Sequence, residues 1–170
     1  MHNFKFSDCS GIEIGLSGHY GQTRSCYTDH DCEWDSYSVN CDLVLTVSPK
    51  IKIVSEMFTG KNLAEYWGGI KQGINVSGDM EIGSKGYYIN LLLSPHQNVD
   101  LSLAYGVDDP DDETLAVGNR SKNTSMVVNM WYKFNPKLLL GFEVLRLKTD
   151  YLGLDKQATS RFEFLVMYIF

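Results

Sequence analysis

The chain has 170 residues, which allows one domain of ordinary size spanning 1–170. It carries 15 Lys and Arg against 21 Asp and Glu, a formal net charge of −6 that argues against a nucleic-acid partner and offers no polybasic patch for anionic lipid. No run approaches the roughly 18 apolar residues of a membrane helix, which leaves strand crossings open.

Period-two alternation dominates from the first residues onward. "NFKF" (3–6) reads as the end of a strand, and "SDCSG" (7–11) as a short turn. In "GIEIGLSGHY", Ile12, Ile14, Leu16 and Tyr20 oppose Glu13, Ser17 and His19. "VNCDLVLTV" sets Val39, Cys41, Leu43, Leu45 and Val47 against Asn40, Asp42 and Thr46. "KIKIVSEMF" sets Ile51, Ile53 and Met57 against Lys52 and Glu56. "NLAEYWGGIKQG" (62–73) suggests at most a short helical turn. "GYYINLLL" and "VDLSLAYGV" resume the alternation, the latter with Leu101 and Leu103 against Asp100 and Ser102. "MVVNMWYKF", "LLLGFEVLRL" and the closing "RFEFLVMYIF" complete about eight strands.

Tight turns marked by Pro or Asn fall at 48–50, 94–98 and 135–137, and long polar connections at 21–36, 60–79, 108–122 and 150–158. Strict alternation of short and long predicts an antiparallel up-and-down meander with all short turns at one end. The same face is bulky and apolar in nearly every strand, while its opposite mixes small, polar and charged groups. That distribution points to an all-β transmembrane barrel rather than a soluble sandwich, with aromatic girdle candidates at Tyr20, Tyr105, Tyr132, Phe134, Tyr168 and Phe170. About eight strands could close on themselves. A strand that begins almost at its own end favours instead the C-terminal part of a larger barrel.

The face opposite the apolar one supplies the expected pore lining: Glu13, His19, Asp42, Lys52, Glu56, Asp100, Trp131, Lys133, Glu143, Arg161 and Glu163. Its acidic excess suggests a cation preference. Cys26 and Cys32 share one long loop and are disulfide candidates in an oxidising exterior, with Cys41 a rival partner. The acidic stretch Asp109, Asp111, Asp112 and Glu113 offers oxygen ligands to Ca²⁺, or else is a solvated loop. Ser17 and His19 share a face, but successive same-face positions lie about 6–7 Å apart, beyond the reach of a nucleophile–base pair. No catalytic residue and no cofactor is expected.

"WYKFNPKLLLGFEV" (131–144), "LKTDY" (147–151) and a final strand ending in Phe resemble the C-terminal region of Gram-negative outer-membrane porin-like proteins. "FTGKNLAEYWGGIKQGIN" and "YGVDDPDDETL" resemble loops of the same group. The resemblance implies an outer-membrane location and passive diffusion of small hydrophilic solutes. It also implies that Phe162, Phe164, Val166, Tyr168 and Phe170 form a signal read by the barrel-assembly machinery. The expected partners are outer-membrane lipids and lipopolysaccharide, that machinery, and small hydrophilic solutes, with a homo-oligomer left open. A structural or adhesin-type barrel and a lipid-modifying enzyme are the alternatives.

Overall fold

The computed structural model describes residues 2–7, 9–25, 32–66 and 68–170. Nine strands form one antiparallel sheet, each hydrogen-bonded to the next in sequence along the sheet. They are β1 (His2–Ser7), β2 (Ser10–Ser25), β3 (Cys32–Ser48), β4 (Ile51–Lys61), β7 (Gly83–His96), β8 (Val99–Pro110), β9 (Arg120–Asn135), β10 (Leu138–Tyr151) and β11 (Leu154–Tyr168). A two-stranded ribbon, β5 (Ile74–Asn75) with β6 (Met80–Glu81), lies between β4 and β7. The up-and-down barrel topology expected from alternation is the one found. The ninth strand is the "NFKF" segment at residues 3–6, which pairs with β2 through Phe4 and Ile12.

The register lines up the apolar positions of all nine strands. One cross-strand row reads Phe4, Ile12, Leu45, Ile53, Leu91, Leu103, Val128, Val144 and Phe162. A slip of one residue in any strand would turn its apolar set to the other face, so this row pins the register throughout. Leu16, Met57, Met126, Phe142 and Phe164 extend the same outer face and are exposed there. Along β8 the outer positions run apolar from Val99 to Val107, nine residues, the length a tilted strand needs to cross a bilayer. Above that band the same face turns charged. Asp109 pairs with Lys122 at 3.3 Å, and Asp150 with Lys148 and Lys156 at 3.5 and 2.9 Å. Tyr20 lies directly across from Tyr37 at the rim, and its hydroxyl donates to Asp35 Oδ1 at 2.9 Å. Tyr132, Phe134 and Tyr168 mark the opposite end of the band.

The short turns follow from local chemistry. Asn135 Oδ1 accepts from the backbone N–H of Lys137 (2.9 Å) and of Leu138 (3.0 Å), closing the β9–β10 turn around Pro136. The connections at 21–36, 108–122 and 150–158 are shorter than expected, whereas that between β4 and β7 runs over 62–82. Strands β2 and β3 occupy most of 21–36, and β8 and β9 much of 108–122. The expected loop at 150–158 is a tight hairpin instead. The ladder continues to Tyr151 opposite Leu154, and Gly153 takes φ +73° in the turn. These segments read as loops because their outward residues are polar. They are strand because the pairing continues past the apolar band. In 62–73 the structure has two 3₁₀ turns, Ala64–Tyr66 and Gly69–Lys71.

The sheet curls around its polar face. A single cavity of about 480 Å³ on that face is lined from β2, β3, β4, β7, β8, β9 and β10. On a flat sheet β2 and β10 would stand about 29 Å apart, at roughly 4.8 Å per strand, whereas a sphere of that volume is only about 10 Å across. The curl does not close among the described residues: β1 and β11 are the two edges of the sheet and are not neighbours. Self-closure of about eight strands is therefore not what the structure shows. In a nine-strand meander the two edges also run in the same direction, so they cannot pair with each other antiparallel.

The assignment of faces has a direct consequence. Leu103→Arg places a charge in the outer band and should destabilise the protein folded in lipid vesicles by about 2–4 kcal/mol. Ser102→Arg, on the inner face, should leave the folded fraction close to that of the wild type. Heat-modifiable gel mobility after refolding into vesicles reads both, and equal tolerance would contradict the assignment.

Candidate functional site

The inner face is built around a segment that folds back onto it. Residues 62–82 leave β4, cross the polar side of the sheet and return at β7. Asn62 N–H donates to the Ile82 carbonyl (3.0 Å), and Ile82 N–H to that of Gly73 (2.8 Å). The buried hydrophobic side chains among the described residues gather here rather than along the sheet: Trp34, Leu63, Ile70, Ile82 and Leu115. Trp34 points inward from β3, and its indole N–H donates to Asp79 Oδ1 at 3.2 Å. The apolar core of this chain thus lies between the inward segment and the wall.

Four sets of polar contacts hold the segment. The first centres on His19. Ser36 Oγ donates to the Asn62 carbonyl (2.8 Å), so it accepts from His19 Nε2–H (3.1 Å). His19 Nδ1 is hydrogen-bonded to Ser38 Oγ (2.8 Å). The imidazole is held at both ring nitrogens, and its ring stacks on Tyr66 with centroids 3.8 Å apart. The second is Asp108, half-buried at the end of β8. Its carboxylate accepts from the Ile70 backbone N–H (2.9 Å) and from Ser84 Oγ (3.1 Å). Ile70 sits at φ +53°, an unfavourable conformation for a β-branched residue, held by this bond and by its burial. The third is a reciprocal pair: Gln72 Nε2 donates to the Arg120 carbonyl (2.7 Å), and Arg120 N–H donates to Gln72 Oε1 (3.0 Å). The fourth is Asn75 Nδ2, which donates to the Thr114 carbonyl at 3.0 Å.

Beneath the segment lies the 480 Å³ cavity. Two adjacent inner rows supply most of its floor, though Gly15, Ser17, Asp42 and Gly86 in them do not line it. One runs Gly15, Asp42, Glu56, Tyr88, Gly106, Ser125 and Leu147; the next runs Ser17, Asn40, Phe58, Gly86, Asp108 and Asn123. Glycines make room for their large neighbours: the Phe58 ring covers Gly86, where a Cβ would collide with it. Asp42 and Glu56 are direct cross-strand partners, and neither makes an ion pair among the described residues.

The other residues expected to line a pore share this face but divide into separate groups. Asp100 pairs with Lys133 (2.7 Å) near the short turns and also accepts from Ser94 Oγ (2.7 Å). Glu143 and Glu163 bracket Arg161, at 3.4 and 2.9 Å, close to the β11 edge. Trp131 lies flat against Gly141, whose absent Cβ would sit 3.0 Å from the indole ring. Glu13 and Lys52 stand on the same face without ion-pair partners among the described residues.

Of two further expectations, one falls outside the described residues and the other finds no ligand group among them. Cys26 lies outside the described residues, so its pairing with Cys32 does too; the rival Cys41 sits on the outer face, opposite Met57. Among the described residues no three of the acidic side chains group as a metal ion requires, and Asp109 is engaged by Lys122. His19, which shares a face with Ser17, is bonded instead to Ser36 and Ser38, and both bonds serve to hold the segment. Asp108 was legible as a site residue only by extending the Ser102–Ala104–Gly106 parity into the acidic stretch.

The sheet has a counterpart among solved structures. The chain has the fold of an outer-membrane channel. It superposes on the crystal structure of the outer membrane channel DcaP of Acinetobacter baumannii with a TM-score of 0.67 and 15% identity, over 98% of this chain. The chain spans 60% of that channel's length. No family model matches the sequence, and no curated protein matches it. The likeness is therefore one of fold.

Anchoring through Asp108 can be measured. Asp108→Ala removes both acceptor bonds, each charge-assisted and worth about 1.5–3 kcal/mol. Trypsin cleavage after Lys71 in the folded protein should accelerate about tenfold or more, since local opening is governed by the free energy lost. Asp108→Asn, which keeps one acceptor oxygen, should fall between. Unchanged cleavage in Asp108→Ala would show that the segment is held elsewhere.

Proposed function

We propose that this chain forms the wall of a porin-like channel in the bacterial outer membrane, through which small hydrophilic solutes diffuse passively, and that residues 62–82 narrow its lumen. One observation carries the reading: a single cavity on the polar face is reached from seven successive strands, while the opposite face presents an apolar row across the whole sheet. The likeness to an outer membrane channel supports the same architecture. A lipid environment tolerates no open sheet edge, because unpaired backbone groups have no water to bond. In this reading the β1 and β11 edges pair with further strands. Because those edges run the same way, an odd number of additional strands keeps every pairing antiparallel.

The outer face fits this setting. The charged rim above the apolar band, with Lys61, Lys85, Lys122, Lys148 and Lys156, faces the level of anionic lipopolysaccharide headgroups. The closing row Phe162, Phe164, Val166 and Tyr168 is exposed on β11, with Phe170 beyond it, and is available to the barrel-assembly machinery.

Conductance across planar lipid bilayers tests the channel. The wild type should give stepwise ohmic openings. Replacing residues 63–81 by a short Gly-Ser linker should raise the unit conductance, because the segment fills the polar side of the curl. A folded protein without conductance, or a linker variant with conductance unchanged, would contradict the reading.

A further inference from the structure

We propose that the cavity under residues 62–82 is a binding subsite for small organic cations, of the alkylammonium or guanidinium class. The inference rests on the channel reading only in that solute reaches the cavity through the lumen. Three features on different elements converge.

The first is charge. Asp42 on β3 and Glu56 on β4 face each other across the ladder. Like charges directly opposite on a sheet repel and destabilise it. Among the described residues no Lys or Arg side chain forms an ion pair with either, and none lines the cavity. Elsewhere on this face Asp100 pairs with Lys133, and Glu143 and Glu163 with Arg161, while Glu13, which does not line the cavity, makes no ion pair among the described residues. Asp108, also at the cavity, has its oxygens engaged by Ile70 N–H and Ser84 Oγ. Glu56 thus lines the cavity with its charge unpaired, and Asp42 stands beside it on the ladder.

The second feature is aromatic. Tyr88 is the cross-strand neighbour of Glu56 and 40% exposed, so its ring is accessible. Tyr66, stacked on His19, and Phe58, lying over Gly86, complete an aromatic lining. An aromatic face attracts a cation by about 0.5–2 kcal/mol depending on desolvation.

The third is size. A cavity of about 480 Å³ is far larger than a bare metal ion needs and falls in the range of small-molecule sites. The described residues show no metal-holding group. A carboxylate pair beside accessible rings therefore suits a cation that carries carbon: the carboxylates supply attraction, and the rings accept its apolar surface. Asn40, Asn123 and Ser125 add polar groups around the rim for orientation.

The test uses the full chain folded in detergent micelles, with tetramethylammonium as probe and tert-butanol as a neutral molecule of similar size. Saturation-transfer NMR should show the tetramethylammonium methyl signal with the wild type and little signal from tert-butanol. The double variant Asp42→Asn with Glu56→Gln should weaken apparent binding at least tenfold, while heat-modifiable mobility confirms that it folds. Tyr66→Ala should weaken it about threefold and leave the fold intact. Equal signals from the two probes, or retention of binding in the double variant, would overturn the proposal. Bilayer recordings separate it from the channel reading. A protein that conducts without binding tetramethylammonium overturns the subsite and keeps the channel; one that binds it without conducting keeps the subsite and overturns the channel.

Discussion

Everything in this molecule depends on one antiparallel ladder that runs from β1 to β11 without a crossover. Because side chains alternate across a strand, fixing the register of one strand fixes which of its residues meet which face. The row from Phe4 to Phe162 is the visible result: nine apolar residues from nine strands at one level. A soluble sandwich would bury such a row under a second sheet. Here it faces outward, no second layer among the described residues covers it, and the charged and polar side chains of the strands gather on the inner face. Lipid is the environment in which that arrangement is stable.

The second organising element is the return of residues 62–82 onto the inner face. The sheet has little apolar core of its own, and the buried side chains Trp34, Leu63, Ile70, Ile82 and Leu115 are collected by this segment. Its contacts reach β2 through the His19–Tyr66 stack, β3 through Ser36, β8 through Asp108 and β9 through Arg120. By touching strands this far apart, the segment both confirms the curvature of the wall and sets the shape of the space beneath it. The backbone of Ile70, at φ +53°, shows that the segment is held against its local preference by these contacts. A segment held in this way gives the space beneath it a defined lining.

The strands and their faces were legible in the sequence because the apolar alternation is nearly free of exceptions between Ile12 and Phe170. Even the fragment Phe4–Phe6 announced its strand. Strand ends were less legible. Lys148, Asp150 and Lys156 looked like loop residues, yet their backbone stays in the ladder beyond the apolar band, where outward positions are charged. The inward segment was not legible at all. Its decisive contacts join residues far apart in sequence, such as His19 with Tyr66 and Trp34 with Asp79, and no period records them. The expected lining residues share a face, but their division into a paired group at Asp100 and Lys133, an edge cluster at Arg161 and an unpaired couple at Asp42 and Glu56 follows from register, which local alternation does not supply.

The central claim is that one face of this sheet meets lipid and the other meets water. Spin labels placed singly at positions 99 to 107 of β8, in the protein refolded into vesicles, test it most directly by power-saturation EPR. The account predicts that labels at 99, 101, 103, 105 and 107 are relaxed by oxygen, which concentrates in lipid, and that labels at 100, 102, 104 and 106 are relaxed by a water-soluble nickel chelate. Nickel accessibility at all nine positions, or no period of two between the probes, would contradict it.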